Sequence, residues 1–339
     1  MAVYGAYGYQ GKLVVAELAR RDIDAILIGR DPVRLASVGA ADAERRTADA
    51  DDHDGLRVAL RGADVVINCA GPFTVSGQPV IRAAVAAGCH YVDTAGEQHY
   101  LRKVFDTFSS EGEVTIVPGA NDDCLPSDLI AALVAPLVAP VEEVTIALDL
   151  TSGGSSPSRG TLRSALADPE TFTTGGEVYD RGQWRADVPV RCHSLIFPGA
   201  PEPAAVVKFA LPGVATVPRH LPANWVEGVA RAELVTAFGS LTPELIEKLP
   251  EGPTPEQRRT ATFVVTVDAI GVDGRRARGV VEGADPYGTT AVIAVEAAYR
   301  LAIDPPEPGA LTPAQAYDSA GFLNALVSSA VSWTVEELP

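Results

Sequence analysis

The sequence predicts an α/β protein: an N-terminal Rossmann-type doubly wound parallel sheet, plus an inserted α+β substrate domain with a mixed or antiparallel sheet. Three observations predict it. The first 120 residues alternate short apolar runs with helical patterns. Val65-Val66-Ile67-Asn68-Cys69-Ala70, bounded by Asp64 and Gly71, has the near-continuous apolar character of a strand buried on both faces. Residues 144–282 abandon that alternation for β-branched runs separated by Gly, Pro, Ser and Thr. The expected division is 1–120 for the nucleotide, 121–285 for substrate binding or dimerisation, and 286–339 as C-terminal helices returning to the first unit.

The elements follow in order. Residues 2–4 form a short strand ending at Gly5, and 11–20 a helix with Leu13, Val14, Val15 and Leu18 on its apolar side. A second strand, 25–28, closes at Gly29, and a helix at 32–36 follows. Residues 54–60 read as a helix, 65–70 as the buried strand, and 78–87 as an Ala/Val-rich helix stopped by Gly88, a C-cap signal. Strands are expected at 90–92 and 114–118. In the middle, 144–150, 206–211, 230–238, 262–270 and 280–282 read as strands, and 242–259 as a polar connection broken by proline. Residues 289–302 are a strong helix, and Thr312-Pro313 makes an N-cap and N1 pair for a last one.

Composition removes several function classes. In 339 residues, Lys and Arg total 27 against 44 Asp and Glu, a net charge of −17, which repels nucleic acid and anionic membranes. No apolar run reaches the roughly 18 residues of a membrane helix, and no signal peptide is expected. Cys69, Cys89, Cys124 and Cys192 are widely spaced and the five histidines lack ligand spacing, so neither a disulfide framework nor a metal site is predicted. A reduced, cytoplasmic setting is expected. No Tyr is followed four positions on by Lys, and no G-x-S-x-G elbow occurs.

The sharpest motif is Gly5-Ala6-Tyr7-Gly8-Tyr9-Gln10-Gly11, following a strand and opening a helix. Glycines there permit a tight turn and close backbone approach, while the helix N-terminus offers N–H groups to a pyrophosphate. The spacing is G-x-x-G-x-x-G. At the end of the second strand stands Arg30, with Arg34 one turn on; an arginine there accommodates the 2′-phosphate of NADP(H), although Asp31 keeps NAD open. Asp49, in Ala48-Asp49-Ala50 after a predicted strand, is a candidate for the adenine border or an ordinary loop carboxylate.

Four stretches carry a resemblance: Tyr4 to Leu13 around the glycine turn; Asn68-Cys69-Ala70-Gly71-Pro72-Phe73; Gly88-Cys89-His90-Tyr91-Val92-Asp93-Thr94-Ala95-Gly96-Glu97; and Leu125-Pro126-Ser127-Asp128-Leu129. They resemble the saccharopine dehydrogenase-like reductases, most nearly the branch of trans-acting enoyl reductases. Ser152-Gly153-Gly154-Ser155, Asp285-Pro286-Tyr287-Gly288-Thr289-Thr290-Ala291 and Leu311-Thr312-Pro313 are similar too. The resemblance is dense over 130 residues and sparse beyond. It implies a nicotinamide cofactor and hydride transfer, with Ala70, Gly71, Pro72 and Phe73 passing the cofactor and Thr94 to Glu97 near the nicotinamide. The branch reads Gly-Phe-Asp where this chain has Asn121-Asp122-Asp123; Asp123 matches the family acid, and Asp122 makes the site more polar.

Proton donors are expected in two loops, one holding Asp93, Glu97, His99 and Tyr100, the other Asp122, Asp123 and Asp128. Asp123, Glu97 and Tyr100 are the catalytic candidates; Thr94, Asp122 and Arg159 the substrate-side ones. Asp128 reads equally as a helix cap, and residues 152–160 as an anion loop or a connection. The reaction expected first is reduction of a C=C bond in a small-molecule intermediate. Reduction of C=N in amino-acid or opine-like chemistry stays open; it would need several arginines, for which Arg159, Arg163, Arg181, Arg185, Arg191, Arg219 and Arg231 are available. A non-catalytic NADP-binding sensor is the reading from another class. Exposed strand edges in the second sheet are candidates for homodimer pairing.

Overall fold

The computed structural model describes residues 1–40, 42–109, 112–150, 157–238 and 242–339. The chain begins with β1 (Ala2–Tyr4), α1 (Tyr9–Arg20), β2 (Ile26–Gly29), α2 (Pro32–Ala36), β3 (Glu44–Thr47) and α3 (His53–Ala59). It continues through β4 (Val65–Asn68), α4 (Phe73–Ala87), β5 (His90–Asp93), α5 (Gln98–Phe108) and β6 (Thr115–Val117). Then come α6 (Cys124–Val138), β7 (Val141–Asp149), α7 (Arg159–Ala167), α8 (Pro169–Thr174), β8 (Val178–Asp180) and β9 (Gln183–Arg185). β10 (Ser194–Leu195), β11 (Ala204–Lys208), α9 (Gly213–Thr216), β12 (Trp225–Arg231), α10 (Ala232–Phe238), α11 (Pro243–Lys248) and α12 (Pro255–Thr260) follow. The chain closes with β13 (Thr262–Gly271), β14 (Arg276–Ala284), α13 (Pro286–Ile303), β15 (Gly309–Ala310), α14 (Pro313–Ala316), α15 (Ser319–Leu326) and β16 (Val331–Leu338).

The first sheet has seven parallel strands in the order β15-β6-β5-β4-β1-β2-β3. Its order reverses at β1, which lies between β4 and β2. That reversal opens the crevice above the carboxyl ends of the strands where ligands bind in this class of fold. All four residues of β4 are buried, as the apolar run required. The second sheet has nine strands and is mixed: β10-β11-β12-β7-β13-β14-β16, with the hairpin β8–β9 attached to β12. Among the described residues, only the β12–β7 pair of this sheet is parallel.

Helix α6 joins the two halves. It is apolar nearly all round because it is covered on several sides, and its Ile130 and Val134 fill the space beside Gly279 on β14, where a Cβ would fall 2.5 Å from Ile130. One core runs from Val3, Val14 and Leu18 through Leu129 and Val134 to Val265 and Val281; a second, with Tyr91, Tyr100, Leu101 and Phe108, backs the other face of the first sheet. Among the described residues, no helix is long and apolar enough to cross a membrane.

Gly88 ends α4 in the left-handed conformation at φ 68°, as its position predicts. Two expectations are corrected. Residues 230–238 are not one strand: β12 ends at Arg231 and α10 begins at Ala232, where Ala, Glu and Leu favour a helix although Val and Thr follow. Residues 242–259 are not an irregular connection. Thr242 and Thr254 cap α11 and α12, and each helix has proline at its first position, where the missing N–H costs nothing. Ser152 to Ser156, in the expected anion loop, lie outside the described residues.

Candidate active site

The glycine turn stands at the switch point. Gly5 adopts φ 80°, and the Gly5 and Ala6 N–H groups donate to the Ile28 carbonyl at 2.9 and 3.2 Å. A Cβ at Gly5 would fall 2.9 Å from that of Ala70, and one at Gly11 only 2.2 Å from the Gly5 oxygen. Gly8 is the N-cap of α1 and supplies no side-chain cap, so the helix's first N–H groups face the crevice without a competitor from their own chain end. This is a cradle that side chains would fill, and it fits a diphosphate.

The Tyr7 ring lies against Gly29, where a Cβ would come within 2.5 Å of it. The Arg34 guanidinium sits 4.4 Å from the centre of that ring. Arg30 is exposed immediately beyond β2. Burial first, and then the charge of Asp49, push the Tyr4 phenol up to about 12, with Arg30 opposing. Arg30 and Asp49 therefore flank the same end of β1, on the side expected for the adenosine. Tyr9 packs edge-on to Tyr287, centroids 5.2 Å apart, and Gln10 donates to the Tyr287 carbonyl at 3.1 Å. These contacts dock the start of α13 onto the start of α1.

Next to the cradle, Asn68 accepts from the Ala70 N–H at 2.9 Å, and Ser76 donates to the Ala70 carbonyl at 2.5 Å. The loop Ala70 to Phe73 is also held by Glu97. Its carboxylate accepts from the N–H groups of Phe73 at 2.8 Å and Thr74 at 2.5 Å, and from the Thr74 hydroxyl. Glu97 thus caps α4 from another loop. Tyr100 is 1% exposed and donates to Asp93 at 2.7 Å. Asp93 is a buried hub, also accepting from Tyr91 and the Gly119 and Ala95 N–H groups; burial raises its carboxyl to about 6 against these donors. Of the three catalytic candidates, Glu97 and Tyr100 are therefore committed to holding the loops at the ends of β4, β5 and β6. Thr94 lies half-buried on that rim, its N–H donating to the Asn68 carbonyl at 3.2 Å.

Asp123 is different. Its Oδ1 is shielded from solvent and has no hydrogen-bond partner. Burial, and then the neighbouring Asp122 charge, drive its carboxyl well above the ordinary range. Burial also raises Asp122, which is steadied by a 2.8 Å bond from the Thr290 hydroxyl. Asn121 fixes the loop: its Oδ1 accepts from Cys124 N–H at 2.7 Å and its Nδ2 donates to the Ala95 carbonyl at 3.1 Å. Tyr287 accepts from the Ser158 N–H at 2.6 Å, which brings the start of α7 to the same rim. Sequence reasoning placed no role on Thr290 or Tyr287; the only signal was their membership of the Asp285 to Ala291 stretch.

Arg159 is drawn elsewhere, its guanidinium to the α11 residue Glu247 at 3.9 Å. Every other arginine named for a polycarboxylate substrate also pairs with a carboxylate of the chain: Arg163 with Glu247, Arg181 with Glu142, Arg185 with Asp187, Arg191 with Glu143, Arg219 with Asp106 and Arg231 with Asp149.

A doubly wound sheet with a glycine-lined turn at its switch point, and a second mixed sheet beside it, is the architecture of a dinucleotide-binding protein. The family model of the saccharopine dehydrogenase NADP binding domain matches residues 1–117. The nucleotide is accordingly NADP(H). The chain is 30% identical over 201 residues to a trans-acting enoyl reductase of Mycobacterium ulcerans, covering 53% of this chain and 48% of that protein. It is 30% identical over 149 residues to a probable mitochondrial saccharopine dehydrogenase-like oxidoreductase of Arabidopsis thaliana, covering 38% of this chain and 33% of that one. The chain thus spans between a third and a half of the length of these relatives. In fold it is similar to the apo saccharopine dehydrogenase (L-Glu forming) of Saccharomyces cerevisiae, with a TM-score of 0.58 and 12% identity, covering 100% of this chain and 99% of that one.

Proposed function

We propose that the protein is an NADPH-dependent reductase of the saccharopine dehydrogenase-like kind, delivering hydride to a polarised C=C bond of a small-molecule intermediate, with Asp123 as the acid. The observation that carries it is the Asp123 carboxyl at the carboxyl edge of the first sheet, raised by burial and the Asp122 charge and with its Oδ1 shielded from solvent and unpartnered. Gly5, Gly8 and Gly11 would receive the diphosphate, Tyr7, Arg30, Arg34 and Asp49 the adenosine end, and Ala70 to Phe73 the passage toward the nicotinamide. Bound NADPH supplies the hydride. Burial and the Asp122 charge keep Asp123 protonated at neutral pH, so it is ready to donate. As hydride reaches one carbon, the Asp123 proton goes to the other; Asp123 is left as a carboxylate and takes a proton from water. Thr290 and Asp122 set the acid's strength, and Asn121 holds its loop. The division at residues 120 and 285 belongs to the same proposal, with substrate entering between the two sheets.

The C=C reading is supported over amino-acid or opine-type C=N reduction by the paired arginines. Their partners are spread over α11, β7, α5 and the segment after β9, whereas a polycarboxylate substrate would need several arginines brought together in one place. The test is turnover of NADPH with enoyl and imine substrates, with products identified by mass spectrometry. Asp123→Asn should bind NADPH normally and lose on the order of 10²-fold or more in rate with an enoyl substrate. Tight NADPH binding with no oxidation by either class would instead favour the sensor reading, and a D123N variant that turns over normally would remove Asp123 from the account.

A further inference from the structure

The segment between α11 and α12 lies across the start of α1. It is fastened at three points. The Tyr9 hydroxyl donates to the Pro253 carbonyl at 2.7 Å. The Tyr9 ring fills the space beside Gly252, where a Cβ would come within 2.6 Å of it. The Glu251 carbonyl accepts from the Arg159 N–H at 3.1 Å.

This fastening delivers the Glu251 carboxylate between two cations of the nucleotide unit. Lys12 Nζ lies 3.0 Å from its Oε2, and Arg34 Nη2 lies 3.1 Å from its Oε1. Lys12 belongs to the first turn of α1, next to the glycine turn; Arg34 stands over the Tyr7 ring beyond β2. The three side chains are 41–50% exposed, so the pairs are screened and exchange readily with another anion. A phosphate monoester carries more charge than a carboxylate and matches the guanidinium fork as well.

We propose that Glu251 is an internal competitor for the 2′-phosphate of the nucleotide: it holds Arg34 and Lys12 in the free protein, and NADPH binds by displacing it. This rests on the NADPH reading above and names the residue that sets how strongly the phosphorylated nucleotide is preferred. NADH brings hydroxyls to that place and has no anion to exchange at Arg34, so it leaves Glu251 seated. Displacement also frees the 251–253 segment from one of its holds, which ties cofactor loading to the chain that leads into the second sheet.

The test is equilibrium titration of the parent and Glu251→Gln proteins with NADPH and with NADH, followed by nucleotide fluorescence at low and at 1 M salt. With the competitor gone, E251Q should bind NADPH about three- to tenfold more tightly at low salt, while NADH affinity moves less than about twofold. The gain should vanish at 1 M salt, where the screening length is about 3 Å. NADPH affinity that is unchanged or weaker in E251Q, or equal gains for both nucleotides, overturns the inference and leaves the reductase reading intact. A parent protein that binds neither nucleotide overturns both.

Discussion

Gly8→Asp separates the stability of the fold from its use. Gly8 is the N-cap of α1 with φ −69° and ψ 167°, extended backbone that any residue adopts. A Cβ there would lie 3.2 Å from the Gly5 oxygen, a contact relieved by a shift of a few tenths of an ångström. Aspartate is among the best N-cap residues and differs from glycine at this position by only a few tenths of a kcal/mol. The fold should therefore survive, melting within about 2 °C of the parent protein. The nucleotide should not. The new carboxylate would accept from the same N–H groups that the diphosphate needs and would add like-charge repulsion. At about 4 Å and an effective dielectric of about 20, that repulsion is about 4 kcal/mol, on the order of a 10³-fold loss of affinity. Thermal melting and NADPH fluorescence titration measure the two quantities on one sample. A G8D protein that binds NADPH like its parent would refute the placement of the diphosphate; one that unfolds would refute the reading of Gly8 as a tolerant cap.

Four further outcomes follow from the same geometry. Glu97→Gln removes the charge that caps α4 across two loops and should cost about 1–2 kcal/mol in denaturant unfolding, with NADPH affinity falling as the Ala70 to Phe73 loop loosens. Tyr100→Phe withdraws one buried donor from Asp93 and should destabilise by about 1–3 kcal/mol in the same assay while leaving turnover largely intact, because the hydroxyl never reaches the crevice. With Asp123 in its proposed role as the acid, the rate should fall as pH rises through its raised pKa; Asp122→Asn removes the neighbouring charge and should move the fall to lower pH in a pH–rate profile. His220 Nε2 donates to the buried Asp128 carboxylate at 2.8 Å; burial disfavours its charged ring, yet Asp128 outweighs burial and raises its pKa. Its contribution to stability is therefore complete below the unfolded value of about 6.5 and is lost as pH rises through the higher folded value. The stability difference between the parent and His220→Gln should shrink over that window in urea titrations.

The nucleotide half was legible because its constraints are local. Gly5 and Gly11 announce a turn whose backbone leaves no room for a Cβ, Gly8 the helix start beside it, the apolar β4 run a strand covered on both faces, and Gly88 a left-handed stop. The site was legible only as a set of candidates. Asp123, Glu97 and Tyr100 all follow strand ends, and sequence spacing does not show that Glu97 turns back onto α4 or that Tyr100 points into the core. The groups that distinguish them come from far along the chain: Thr290 reaches Asp122 across 168 positions, and Glu251 reaches Lys12 across 239. Such partners have no local period to betray them. The 230–238 run misled for a related reason. Val and Thr fit strand and helix alike at short length, and only tertiary packing chooses between them.

The account rests on the opening turn holding a diphosphate with Arg30 and Arg34 at the ribose. Titrating the purified protein side by side with NADPH and NADH tests it most directly. Saturable binding, tighter for NADPH and abolished by G8D, is the predicted result; no saturation with either nucleotide, or a clear preference for NADH, would contradict it.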